Sequence, residues 1–182
     1  VGKIASNAAS DLHLMFFANC DANGEQHLGG TIQLIEHYYH DAYYRSTGYF
    51  AKLEQTTFMP YENTYGHVFE KNTRGLKIVI PFLRESFYDE MEVIRAVCDS
   101  FFIAILQRKL IVHVNDLTID ATSIEHIVKQ EQYYEQRVPM MKKVFTPLYV
   151  NTFMTKEPRT ITIPHRDTAL TFQLYFQYDE QI

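Results

Sequence analysis

The 182 residues suffice for one domain or two small ones, and a content of 46% hydrophobic and 21% charged residues excludes a disordered chain. A formal net charge of −5 argues against a general attraction to nucleic acid or to an anionic membrane. The two cysteines, Cys20 and Cys98, are too few for a disulfide scaffold or a cysteine-only zinc site, and they predict reduced thiols in a cytoplasmic protein.

Residues 4–10 (IASNAAS) are small and Ala-rich and predict a short, closely packed helix ended by Asp11. Residues 12–18 (LHLMFFA) have the pattern of a buried strand, followed by a polar turn over 19–24 in which Asn23-Gly24 is a hairpin signal. Residues 30–36 (GTIQLIE) alternate with a period of two and predict the partner strand. Residues 37–45, rich in Tyr and His, fit no single element, whereas 49–55 predict another strand. Residues 59–73 carry Pro, Gly and Asn and predict a loop, after which Gly75 opens a strong strand over 76–82.

Phe87, Met91, Ile94, Val97, Cys98, Phe101, Phe102 and Ile105 recur at spacings of three and four and predict the main helix over 87–106. Ser86 would cap it, with Asp89 at the third helical position. A strand over 110–114 and a turn at Asn115-Asp116 follow, then a polar helix from Thr122 or Ser123 to Tyr134. Pro139, Pro147 and Pro158 break the next region, and 159–163 with 169–178 alternate as a hairpin across 164–168. No regular βαβ order is visible, so the class predicted is α+β with mixed, largely antiparallel sheets and one long helix. No apolar run approaches the ~20 residues of a membrane span. The chain starts at Val1 without the charged and apolar regions of a signal peptide, and the expectation is that its natural beginning lies upstream.

Few residue clusters suggest chemistry. His37 and His40, flanked by Glu36 and Asp41, are three apart and would offer two ligands on one helix face, but no third ligand has a place and no metal is expected. Ser6, Ser10 and Ser46 lie in no nucleophile elbow, and the phosphate-binding and dinucleotide-binding glycine patterns are absent. Cys98 falls on the apolar face of the main helix, which makes it core rather than nucleophile. Glu85, Asp89, Glu90 and Glu92 crowd a helix start, where the helix dipole accounts for them. Tyr38, Tyr39, Tyr43 and Tyr44 have faces on which bases stack, but an acidic chain favours packing or a partner interface for them. Taken alone, these residues define no active site.

The order of segments carries more. Val1-Gly2-Lys3-Ile4-Ala5, an Ala-rich helix, Ser10-Asp11 and a hydrophobic strand resemble the end of the glycine-rich ATP lid in the GHKL superfamily of ATPases. That superfamily includes the heat-shock chaperones, gyrase and the mismatch-repair ATPases. Thr73-Arg74-Gly75-Leu76-Lys77-Ile78-Val79-Ile80 resembles the chaperones' R-G-T-K strand, which closes their ATP-binding domain and runs into a charged helix, as residues 84–106 follow here. Residues 109–115 then look like the start of the transducer domain, and bacterial GHKL proteins with a "GKFA" lid and a "GTSI" strand look most similar.

The resemblance implies the remainder of a Bergerat-type nucleotide domain over 1–83 and a ribosomal-S5-like transducer domain over 84–182. It implies ATP and Mg as cofactors of the intact protein, ATP-dependent homodimerisation, and hydrolysis coupled to conformational change on an unknown protein client. Gly2 would allow close backbone approach to phosphate, and Lys3 would add charge beside it. A transducer lysine or arginine would reach the γ-phosphate, with Lys156 and Arg159 as candidates. The superfamily's Mg-binding Glu/Asn helix and adenine-binding Asp-x-Gly do not occur in their order here, and Leu76 stands where the strand Thr would hold adenine. This piece alone is therefore expected not to hydrolyse ATP. The alternative is a non-catalytic α+β interaction module that uses the tyrosine-rich segment 38–49.

Overall fold

The computed structural model describes residues 6–134, 145–166 and 168–178. Over these the fold is α+β, with several small antiparallel sheets and few helices. The chain divides into two compact units, Val1–Tyr88 and Asp89–Ile182.

In the first unit residues 6–8 are helical and lead into β1 (Leu14–Cys20). β2 (Gln26–Gln33) returns antiparallel to it, from Leu14 opposite Ile32 to Cys20 opposite Gln26. The turn is set by Asp21, whose Oδ1 accepts from the backbone N–H of Asn23 at 2.7 Å and of Glu25 at 2.9 Å. β2 therefore starts four residues before the predicted strand and stops at Gln33, because cross-strand pairing extends to the polar Gln26 and His27 that alternation does not flag.

β3 (His37–Tyr39) and β4 (Ala42–Tyr44) form a separate two-stranded ribbon from the segment that fitted no element. β5 (Thr47–Phe50) pairs with β2. β6 (Lys52–Glu54) and β7 (Thr57–Met59) make a second ribbon, and β8 (Tyr61–Glu62) pairs with the start of β2. β9 (Gly75–Val79) then runs antiparallel along the other side of β1. The sheet order is β5-β2-β1-β9, with β8 also on β2. The predicted strand over 76–82 ends earlier, because Pro81 has no N–H to donate to a ladder.

Side chains alternate across this sheet, so its two faces follow from the register. One face carries Phe16, Ala18, Cys20 and Leu28 with Phe50 and Tyr61. There Phe16 meets the rings of Phe50 and Phe69 edge-on at 5.7 and 5.2 Å, and Phe50 meets Tyr61 at 4.9 Å. The opposite face carries Met15, Phe17, Gly29, Thr31, Leu76 and Ile78. Residues 6–9 cover one end of it, where the buried Thr31 hydroxyl donates to Asn7 Oδ1 at 3.2 Å.

The second unit opens with α1 (Glu90–Leu106). Its cap is Asp89, whose carboxylate accepts from the N–H groups of Met91 and Glu92. This corrects the expected cap at Ser86, which lies in a preceding 3-10 turn over Glu85–Phe87. β10 (Val112–Val114) and β11 (Leu117–Ile119) form a hairpin through Asn115, whose φ is 49°. α2 (Ile124–Val128) is far shorter than predicted, since turns over 131–134 replace the rest and carry Tyr134 into the core.

α3 (Thr146–Thr155) was not predicted. Pro147 marked a break in the sequence, yet it sits in the first helical turn, where its missing N–H costs no hydrogen bond. Pro139 lies outside the described residues. β12 (Arg159–His165) and β13 (Thr168–Leu174) form the expected hairpin. The core joins Ile94, Cys98 and Ile105 of α1 to Ile119, Ile124, Ile127, Val128, Tyr134 and Val150. The apolar stripe of α1 is narrower than predicted, because Phe87 falls in the preceding 3-10 turn and Met91 and Phe101 remain exposed.

Candidate functional site

Residues 1–5 of the first sequence block lie outside the described residues, while its Ser10, Asp11 and following strand β1 lie beside β9 of the second block. Residues just before β1 are stitched to residues just after β9. Ser10 is fully buried, and its hydroxyl donates to the Pro81 carbonyl at 2.7 Å. Asp11 N–H donates to Phe82 O at 2.8 Å, and Arg84 N–H donates to Ala9 O at 3.0 Å. The Arg84 side chain adds Nε at 3.5 Å from Asp11 Oδ1 and an N–H donated to His13 Nε2 at 3.2 Å. His13 and Phe82 both take left-handed φ values of 52°, so the backbone is bent on each side of this seam.

Beside the seam, Leu76 and Ile78 stand on the sheet face shared with Phe17 and are 59% and 46% exposed. β1, β2 and β9 carry no carboxylate. Among the described residues, no acidic ligand set for a nucleotide–magnesium site is brought together on these strands. Gly2 and Lys3 lie outside the described residues. Lys156 is the C-terminal cap of α3, and Arg159 opens β12 with its guanidinium 5.6 Å from the Phe176 ring centre.

The histidine patch does not form the helix face on which two ligands would line up. His37 donates through Nδ1–H to Ile35 O at 2.8 Å and stacks on Tyr44 at 5.4 Å, while His40 sits in the ribbon turn against Tyr39. Tyr38 donates to Asp41 Oδ1 at 3.1 Å and lies against Tyr43 at 4.9 Å. The result is a ladder of exposed rings. Among the described residues, three donors capable of sharing a metal come together elsewhere, at Asp21, Glu25 and His27. The spacing of these residues around the Asn23-Gly24 turn was the available sequence signal, and reading turn residues only for conformation missed it.

The remaining candidates are structural. Asp89 caps α1, Glu92 pairs with Arg95 at 2.6 Å, and Glu90 accepts from Asn115 at 3.0 Å. Cys98 is fully buried, and burial, reinforced by the neighbouring Asp99 charge, pushes its thiol up to about 11, so it is no nucleophile. Tyr134 donates to Asp99 Oδ1 at 2.8 Å, and Thr146 donates to the same oxygen. Burial, then this hydrogen bond to a carboxylate, raises the Tyr134 phenol far above its ordinary range.

No family model, no curated protein and no solved structure matches the chain.

Proposed function

We propose that the chain is the C-terminal part of a GHKL-type ATPase, coupling ATP binding and hydrolysis to conformational change or dimerisation. Residues 1–83 would complete a Bergerat-type nucleotide domain, and 84–182 would form a transducer-like domain. The observation that carries this is the seam: β1, the strand that follows the lid-like residues in sequence, lies beside β9 of the R-G segment, and Ser10, Asp11 and Arg84 bond across just beyond that pair.

A second feature supports it. The exposed Leu76 and Ile78 leave an apolar sheet face to be covered by a further layer, which is where upstream helices of a nucleotide domain would pack. The absence of carboxylates on the central strands fits the same division, in which the magnesium and adenine ligands come from upstream. ATP and Mg would bind only the intact protein, in a cytoplasmic setting, with Gly2 and Lys3 lining the phosphates.

Calorimetric titration of a non-hydrolysable ATP analogue with Mg²⁺ tests this, using the full gene product beside the 182-residue chain. Binding by the longer form alone is expected. Absence of binding in both would overturn the ATPase assignment. One observation favours a second reading, a protein-interaction module: Tyr38, Tyr39, Tyr43 and Tyr44 are all exposed on one small ribbon.

A further inference from the structure

We propose that Asp21, Glu25 and His27 form a surface site for a divalent transition-metal ion of the zinc class. The donor atoms of the three residues all lie within 4.8 Å of one another. Ligands around an ion with bonds of ~2.0–2.2 Å stand roughly 3–4 Å apart, so the exposed Glu25 and the half-buried Asp21 and His27 need to close by only about 1 Å. The geometry is preset by the fold. Asp21 Oδ1 is used by the turn, which leaves Oδ2 with only a 3.5 Å contact to Asn23 Nδ2. His27 Nε2 already lies 3.9 Å from Glu25 Oε2.

A fourth group belongs to the same corner. Glu62 of β8 is directly opposite His27 in the strand register, and both line an open cleft with Glu25, Gln26 and Asn63. Three carboxylates thus share one corner with one imidazole. Among the described residues, no Lys or Arg forms an ion pair with Asp21, Glu25 or Glu62. A cation there would be met by carboxylate oxygens together with an imidazole nitrogen, and that nitrogen selects zinc-like ions over magnesium or calcium, which prefer oxygen ligands alone. The ion would pin the β1–β2 turn to β8.

The test is calorimetric titration of zinc chloride into the chelator-treated 182-residue chain and its variants. One saturable site is expected, at least tenfold weaker in His27→Ala, weakened also in Glu25→Gln, and unchanged in His37→Ala/His40→Ala. A ¹⁵N spectrum of the wild-type histidine rings gives a readout that needs no variant, with zinc shifting the His27 ring first. Zinc binding unaffected by His27→Ala, calcium binding as tight as zinc, first shifts at another histidine, or no zinc binding at all would each overturn the assignment.

Discussion

Cys98 and Tyr134 hold protons in the folded core that the unfolded chain gives up more readily. Burial dominates both shifts, and the Asp99 carboxylate adds to both. Both folded-state values are raised, so between the ordinary thiol value of 9.0 and about 11 the folded state binds more protons than the unfolded state. Stability therefore falls as pH rises through that window and is unaffected by these groups below it. Urea unfolding followed across this window is expected to show a falling midpoint, with a shallower fall in Cys98→Ala. An equal fall in the variant would place the effect on other groups. Of this small network the sequence displayed only Cys98, by its helix phase; Tyr134 and Thr146 reach Asp99 through chain reversals that no local pattern records.

At the scale of elements, β2 shows what cross-strand packing demands. Gly29 and Gly30 sit mid-strand, where glycine is unfavourable on conformational grounds. The rings of β1 explain them. A Cβ on Gly29 would fall against the end of the Phe17 ring, and one on Gly30 would lie 2.8 Å from Phe16 Cδ1 and 3.0 Å from the Met15 carbonyl. Gly29→Ala is expected to cost roughly 1–3 kcal/mol by overpacking, as a shift in the denaturation midpoint of the first unit. No loss of stability would mean that the Phe17 ring turns aside freely. The elements the sequence displayed best were those with a strong period or turn, such as α1, the β1–β2 hairpin and β12–β13. Those it hid were short ribbons, too brief for a period to register, and α3, where a helix-starting proline looked like a breaker.

At the scale of the molecule, both units leave large apolar side chains exposed, Leu76 and Ile78 in the first and Leu170 and Phe172 in the second among them, but the second has a continuous buried core. The core from Ile94 to Val150 lies wholly within the second unit. A piece spanning residues 89–182 is expected to fold by itself, with a helical circular-dichroism spectrum and one cooperative unfolding transition; a featureless melt would refute this. The first unit keeps Leu76 and Ile78 open on one sheet face, in keeping with the proposed covering by an upstream layer.

What the sequence determined by itself was local: the α+β class, the amphipathic phase of the main helix, the Asn23-Gly24 turn and the burial of Cys98. Each follows from periodicity or turn chemistry within a few residues. Only the tertiary structure decided that Ser10 bonds to Pro81, that β9 lies beside β1, and that His27 stands opposite Glu62 with Asp21 and Glu25 at hand. Those contacts join residues distant in the chain, and their partners are selected by sheet register and by the need to satisfy buried polar groups.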